Sequence, residues 1–245
     1  MPKIKKKIFI TGSSKGIGFG LAKKFSDLDF DVLINSSNTN NLKKASKKLN
    51  NCKYYLGDIT SEKNIKNISK KIRNDFGKID YLICNYGEGN FKKNNLDFKS
   101  SFEKNFFSTV NTIKHILPLL KKESKIICIS SICGLEILEG APLGYSLAKS
   151  ALNNYVKGVS FILAKKQITI NSLALGNIYF EGSVWQKKSK LNKNKVKRYI
   201  KKNVPTELFG SIENVFDFCK FLIINDTKFI TGTTSVIDGG QTRKL

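Results

Sequence analysis

The chain has 245 residues, 40% of them hydrophobic, which is enough apolar material for one large core in a single domain. Lys and Arg number 43 against 19 Asp and Glu, a formal charge of +24, but these lysines are spread along the whole length, which argues against a nucleic-acid interface. No apolar run approaches the roughly 18 residues of a membrane span and no signal peptide follows Met1, so we expect a cytoplasmic protein without a membrane partner.

Short apolar or β-branched runs alternate with longer amphipathic stretches, the pattern of βαβ units. Strands are predicted over residues 7–11, 31–35, 53–56, 81–85, 125–130, 169–172 and 234–237. Helices are predicted over residues 16–26, 41–49, 61–75, 98–117, 145–164 and 212–222. We therefore expect residues 1–245 to form one α/β domain, a Rossmann-type, doubly wound, parallel seven-stranded sheet flanked by helices.

Residues 177–203 do not fit this alternation, and we call them the lid segment. Aromatic residues such as Trp185 stand near its start, and nine basic residues follow from Lys187 to Lys202. We interpret the segment as an insertion that covers the ligand-binding edge of the sheet as a substrate lid. Its charge leaves two alternatives open, an attraction for anionic substrates or a solvated helix whose lysines have no function.

A glycine-rich loop joins the first strand to the first helix, with the sequence Thr-Gly-Ser-Ser-Lys-Gly-Ile-Gly over residues 11–18. Glycines allow a tight turn and the close approach of a pyrophosphate, whose charge the helix N-terminus stabilises. The second strand ends in Asn35, Ser36 and Ser37 instead of the acidic residue usual at NAD sites. Because no carboxylate would repel a 2′-phosphate and Lys15 is available to bind one, we expect NADP(H), with NAD(H) as the alternative.

Further motifs follow in order along the chain. They are Gly-Asp-Ile at 57–59, Cys-Asn-Tyr-Gly at 84–87, Asn105, Ser131, Tyr-x-x-x-Lys at 145–149, Ile-Thr-Gly at 230–232 and Asp-Gly-Gly at 238–240. In these motifs the chain resembles the classical short-chain dehydrogenase/reductase family over essentially its whole length, and it is similar to 3-oxoacyl-[acyl-carrier-protein] reductase-like members. The departures are Cys84, Tyr86, Leu175 and Phe180, all placed by the resemblance around the nicotinamide.

The resemblance implies a set of functional residues. The catalytic ones would be Asn105, Ser131, Tyr145 and Lys149. Cofactor contacts would come from Gly12, Ser14, Lys15, Gly16, Ile17, Gly18, Ser36, Ser37, Asp58, Ile59, Asn85, Gly87, Tyr145, Lys149, Gly176 and Ile178. No metal site is expected, since the chain has one histidine, His115, and five cysteines without a CxxC pair, which we interpret as buried, reduced thiols.

Carbonyl reduction needs a proton at oxygen as well as a hydride at carbon. Lys149 lies one helical turn from Tyr145, so we expect its charge to lower the pKa of the tyrosine and make it the acid. By resemblance, Ser131 would hold the substrate oxygen, and Asn105 would steady a water that links Lys149 to solvent.

The expected activity is NADP(H)-dependent interconversion of a carbonyl and a secondary alcohol, with a 3-oxoacyl thioester or another anionic compound as substrate. A nucleotide-sugar or other small-molecule ketone reductase remains an alternative, as does a non-catalytic cofactor- or nucleic-acid-binding protein. The resemblance also implies a homotetramer or homodimer packed through the helices at 98–117 and 145–164, and Phe106, Phe107, Val156 and Leu163 are candidates for that contact.

Overall fold

The computed structural model describes residues 5–89 and 97–243. Its strands are β1 (Lys7–Ile10), β2 (Asp31–Ser36), β3 (Cys52–Leu56), β4 (Ile79–Cys84), β5 (Leu120–Ser131), β6 (Thr169–Leu175) and β7 (Thr234–Ile237). Its helices are α1 (Gly16–Asp27), α2 (Thr39–Ser46), α3 (Glu62–Phe76), α4 (Phe98–Phe102), α5 (Ser108–Ile116), α6 (Leu143–Ala164), α7 (Val184–Leu191), α8 (Lys193–Asn203) and α9 (Ile212–Ile224). The strands pair in parallel in the order β3-β2-β1-β4-β5-β6-β7, which confirms the doubly wound, Rossmann-type sheet.

Helices cover both faces of the sheet because successive strand residues point to opposite sides. Ile8 and Ile10 face the layer of α1, α2 and α9, where Phe25 and Phe216 pack edge to face with ring centres 5.2 Å apart. Phe9 faces the other layer, formed by α3, α5 and α6. The strand order reverses between β1 and β4, and in folds of this kind that point opens a crevice at the carboxyl ends of the strands.

The helix predicted over residues 98–117 runs without a break from 98 to 116, but it is not a regular α-helix. Between α4 and α5 the backbone forms a π-helical turn, Glu103–Phe107, which adds a residue to the turn and alters the direction of the side chains that follow. Phe102, Phe106 and Phe107 pack against one another around this turn. Asn105, in the middle of the turn, is completely buried as a result.

Several predicted boundaries were also wrong, and for two of them the structure shows the cause. β5 begins at Leu120 instead of residue 125, since Leu120 pairs with Ile79 before a register shift. The exposed polar residues 121–123 break the apolar run, so the sequence does not reveal this early pairing. α6 begins at Leu143, two residues earlier than predicted, because Pro142 precedes it as an extended N-cap residue.

The proposed subunit contact also needs a correction. Val156 and Leu163 have no exposed surface and pack in the core, where α6 lies on β5 and β6, so they cannot contact a second subunit. Phe107, by contrast, is 48% exposed. Among the described residues, no helix is both long and apolar enough to cross a membrane.

Candidate functional site

A cleft of about 1230 Å³ opens at the carboxyl edge of the sheet, at the point where the strand order reverses between β1 and β4. The expected site residues that line it are Gly12, Ser14, Lys15, Gly16, Ile17, Ser36, Ser37, Asp58, Ile59, Asn85, Gly87, Ser131, Tyr145, Lys149, Gly176 and Ile178. Gly18 and Asn105 lie behind this lining, where Gly18 adjoins Asn85 and Asn105 adjoins Gly87. Motifs separated by more than 150 positions therefore meet in one crevice.

The glycine loop has the conformation that an anion cradle requires. Gly12 and Gly16 both have φ of +61°, a left-handed conformation that residues with a side chain rarely adopt. Lys15 is the N-cap of α1 and makes no side-chain cap, which leaves the first N–H groups of the helix available to a bound anion. A side chain at Gly16 would also meet the Phe180 ring at 3.1 Å.

Asn85 ties the end of β4 to this loop. Its side-chain amide donates to the carbonyls of Thr11 and Gly12 at 3.0 and 3.2 Å. Gly18 leaves room for that amide, since any side chain there would collide with it. The contribution of Gly18 is thus the close packing of α1 on the loop, and it does not line the cleft itself.

Asn35, which the sequence motif marks only by the absence of an acid, holds the β2 and β3 side of the cleft together. It is buried at the end of β2 and donates from its amide to the carbonyls of Tyr55 and Gly57, each at 3.0 Å. Its backbone carbonyl accepts from Ser13 of the glycine loop at 2.9 Å. The signal for this role was its place at the carboxyl end of a buried strand next to β1.

The side chains beyond Asn35 are exposed and polar. Ser37 and Lys15 are exposed at the edge of the cleft, and Ser36 is half-buried. Asp58, also exposed, accepts hydrogen bonds from the backbone and hydroxyl of Thr60 at 2.9 and 2.8 Å. This end of the cleft therefore offers an ammonium group and hydroxyls next to one carboxylate.

Ser131 and Tyr145 meet at the opposite end, beyond the glycine loop. The pKa of Tyr145 is raised to about 12, mainly by burial and in part by charge on the nearby Cys133, while a hydrogen bond with Ser131 lowers it. The expected net lowering of this pKa was wrong, because burial is the largest effect and raises it. Cys133 and Cys52 are only half-buried, which also corrects the expectation that all five thiols are buried.

Lys149 is 3% exposed, and its ammonium donates to the carbonyl of Ile129 at 2.9 Å. Burial lowers its pKa to about 8, while thiolates at Cys128, Cys133 and Cys84 would raise it. The ammonium lies 5.8 Å from the centre of the Tyr145 ring. A partly desolvated cation is thus held beside the tyrosine.

Asn105 lies close to the Lys149 ammonium, with Gly87 next to both side chains. Its side-chain oxygen accepts from the Glu88 backbone N–H at 2.9 Å, and its amide donates to the Glu88 and Ser101 carbonyls, each at 3.0 Å. A Cβ at Gly87 would lie 2.8 Å from the Asn105 oxygen and 3.1 Å from the Lys149 nitrogen. Glycine at this position therefore permits the close approach of the π-helical turn to Lys149.

The lid segment forms the remaining wall. It returns toward the sheet through a bridge between Ile178 and Gly210, and its helices α7 and α8 line the cleft with Trp185 and Tyr199, among others. Just before the segment, Gly176 packs on the backbone of Asp238. A Cβ at Gly176 would lie 2.7 Å from the Cα of Asp238. The sequence suggested the aromatic start of this segment but not the pairing of Trp185 with Tyr199.

Comparison with known proteins agrees with this geometry. The family model described as enoyl-(acyl carrier protein) reductase matches residues 12–242. The chain is 30% identical to the 3-oxoacyl-[acyl-carrier-protein] reductase FabG of Buchnera aphidicola subsp. Acyrthosiphon pisum (95% of this chain, 96% of the relative). It is 28% identical to the NADPH-dependent reductase BacG of Bacillus subtilis (98% and 99%).

Solved structures show the same fold. YwfH, an NADPH-dependent reductase involved in bacilysin biosynthesis, superposes with a TM-score of 0.87 at 26% identity, covering 98% of this chain and 100% of the other. L-sorbose reductase from Gluconobacter frateurii superposes with a TM-score of 0.88 at 22% identity, covering 98% of both chains. The chain belongs to the short-chain dehydrogenase/reductase family of oxidoreductases.

Proposed function

We propose that this protein is an NADP(H)-dependent oxidoreductase that interconverts a carbonyl and a secondary alcohol. The observation that carries the proposal is the convergence of Ser131, Tyr145 and Lys149 on the cleft that the glycine loop also lines. The relatives described as NADPH-dependent reductases support both the reaction class and the choice of cofactor.

The residues of the cleft fit a dinucleotide. The left-handed conformations of Gly12 and Gly16 leave the first N–H groups of α1 open to a pyrophosphate, and a side chain at either glycine would meet Tyr86 or Phe180. Lys15 and Ser37 would hold the 2′-phosphate, and Asp58 and Ile59 would border the adenine. When bound, the nicotinamide supplies or accepts a hydride.

Tyr145 would exchange the proton at the substrate oxygen. Its raised pKa keeps the phenol protonated at neutral pH, which suits the direction of carbonyl reduction. Ser131, which hydrogen-bonds the tyrosine, would hold the same oxygen, so that the carbonyl is polarised from two sides.

Lys149 would orient the cofactor and stabilise the phenolate that forms after proton transfer. Its ammonium is positioned by the Ile129 carbonyl and stands next to Gly87 and Asn105. We propose that Lys149 passes a proton on to the Tyr145 phenolate, and that a water held by the π-helical turn around Asn105 replaces the proton that Lys149 has lost with one from solvent. π-helical turns are often found at functional sites, which supports a role beyond packing.

For the substrate we propose a 3-oxoacyl thioester or another anionic ketone, with the lid segment as the element that closes over it. The FabG relatives and the lysines of α7 and α8 support this choice. A nucleotide-sugar or other small-molecule ketone is the alternative, and the sugar reductase fold neighbour keeps it open. A carrier-linked substrate predicts that kcat/KM falls steeply with added salt, and a kcat/KM independent of salt would reject it.

We also propose a homodimer or homotetramer that packs through α5 and α6. Phe107 and Leu147 are 48% and 44% exposed on this side, more than apolar residues of a monomer core would be. Light scattering of Phe107→Glu would show a smaller assembly than the wild type. An unchanged mass would place the contact elsewhere.

The activity is tested by following NADPH oxidation with a series of 3-oxoacyl thioesters and simple ketones. Tyr145→Phe is expected to lower kcat at least a hundredfold while NADPH binding persists. Tyr155→Phe, on the same helix but away from the cleft, should keep activity. NADPH binding without turnover of any ketone would instead favour a non-catalytic cofactor-binding module, and salt-sensitive retention of nucleic acid on filters would favour a nucleic-acid-binding protein.

A further inference from the structure

The two lid helices each place one aromatic ring and one ammonium group on the wall of the cleft. Trp185 and Lys188 are three residues apart on α7, and Lys195 and Tyr199 are four apart on α8, spacings that put each pair on one helical face. All four residues line the same cleft as Tyr145. They form part of its lid side.

The rings form one rigid surface. The centres of Trp185 and Tyr199 are 5.0 Å apart with an angle of 31° between the ring planes, and Phe209 supports Trp185 at 5.5 Å. The Tyr199 hydroxyl accepts a hydrogen bond from Gln241 at 3.3 Å, and Gln241 in turn bonds Asn177 after β6. The pair is thereby connected to the sheet and presents a flat apolar wall.

Positive charge stands next to this wall. The Lys188 ammonium lies 4.8 Å from the centre of the Trp185 ring. Lys195 is exposed to the cleft, and within residues 5–89 and 97–243 no carboxylate forms an ion pair with it, although Glu139 and Glu181 line the same cleft. An ammonium beside an apolar wall, without a carboxylate of its own, suits an anion on a bound ligand.

Three of the other basic residues of α8 lie on a different face. Lys197, Arg198 and Lys201 line a separate depression together with Asn194. The helix therefore has an inner ammonium group, at Lys195, and an outer basic face. This separation supplies an internal control for the effect of net charge.

We propose that the substrate is itself an acid, with an apolar, flat body on Trp185 and Tyr199 and an anionic group, a carboxylate or a phosphate, held by Lys195 and Lys188. The inference rests on the proposed function and narrows its substrate class. It assigns the negative charge to the substrate molecule inside the cleft, instead of to a macromolecule on the outer face of α8.

Trp185 is the only tryptophan of the chain, so its emission reports binding at this wall without any turnover. The probes are 3-phenylpropanoate, 2-phenylethyl phosphate and the neutral 3-phenylpropanamide, titrated into the full-length protein. We expect one or both anions to bind about fivefold more tightly than the amide, the gain of one partly exposed ion pair. The ranking of the two anions identifies the carboxylate or the phosphate as the preferred group.

Lys195→Gln should remove most of that preference, whereas Lys197→Gln, the same change on the outer face of α8, should retain it. Equal affinities for acid and amide, no emission change with any probe, or equal losses in the two variants would overturn the proposal. These results are independent of the reductase assignment. Reduction of neutral ketones by a protein without acid preference would reject the inference alone, and acid preference in a protein that does not bind NADPH would reject the proposed function alone.

Discussion

The ammonium of Lys149 lies 5.8 Å from the centre of the Tyr145 ring, one turn further along α6. Burial changes the two pKa values in opposite directions, raising that of Tyr145 to about 12 and lowering that of Lys149 to about 8. At neutral pH the pair is therefore a neutral phenol next to an ammonium. This is the protonation state that donates a proton to a carbonyl and stabilises the phenolate left behind.

The first prediction concerns the pH dependence of ketone reduction. Since Lys149 loses its proton around pH 8, kcat/KM should be constant from pH 6 to 7 and fall about tenfold per pH unit well above pH 8. Initial rates at saturating NADPH measure this profile, with NADPH affinity followed over the same range as the control. A profile that stays level to pH 10 would contradict the role of the ammonium.

The second prediction concerns stability. The pKa of Lys149 is lowered to about 8 in the fold from its ordinary value of 10.5, so between these values the unfolded chain binds more protons and stability rises with pH. Removing the buried ammonium should relieve a desolvation cost of about 3 kcal/mol, which the lost hydrogen bond to Ile129 partly offsets. We therefore expect Lys149→Met to raise the free energy of unfolding at pH 7 by about 1–2 kcal/mol.

Urea unfolding of Lys149→Met at pH 7 and pH 10.5 measures this effect, and the gain should vanish at the higher pH. Lys157→Met, an exposed position of the same helix, serves as the matched control. A destabilised Lys149→Met at pH 7 would show that the buried ammonium contributes more in contacts than its desolvation costs.

The third prediction concerns cofactor choice. Lys15 is exposed at the edge of the cleft next to Ser37, so Lys15→Ala should weaken NADPH binding about tenfold and leave NADH binding unchanged. Energy transfer from Trp185 to the bound nicotinamide measures both affinities. Lys23→Ala, on the outer side of α1, is the control. Equal losses for NADPH and NADH would move the 2′-phosphate site away from Lys15.

The fourth prediction concerns the contact between Gly16 and Phe180. Gly16→Ala should weaken NADPH binding at least tenfold, because its φ of +61° is strained for alanine and its Cβ would meet the Phe180 ring. Calorimetric titration of Gly16→Ala and of the double variant with Phe180→Ala separates the two causes. Full recovery in the double variant would mean that the ring contact, and not the backbone, is responsible.

The fifth prediction concerns Lys125, which connects β5 to the end of α9. Its nearly buried ammonium donates to the carbonyls of Leu222, Ile223 and Asn225 at 2.7, 3.2 and 2.5 Å. Lys125→Met should lower the free energy of unfolding by about 2–3 kcal/mol, since these carbonyls lose their charged donor. Thermal unfolding with Lys122→Met as the exposed control tests it, and equal melting temperatures for the two variants would contradict it.

Local chemistry explains why much of the site was predictable. The glycine loop, the Tyr145-x-x-x-Lys149 spacing and Ser131 at a strand end depend on turn geometry, helical period and strand alternation, all of which short segments encode. The cytoplasmic location, the catalytic roles and the function of the lid segment stay predictions. The errors fell where distant residues decide the local structure, as at the π-helical turn around Asn105 and the early start of β5 at Leu120.

The sequence by itself determined the seven-stranded sheet, the position of the cofactor cleft and the identity of the residues at its centre, because hydrophobic periodicity and glycine conformation act within a few residues. Only the tertiary structure decided the pKa values of Tyr145 and Lys149, since desolvation depends on everything packed around them. The same holds for the wall of Trp185 and Tyr199, whose rings come from separate helices. Contacts between distant segments depend on how the whole core packs, and no local pattern records them.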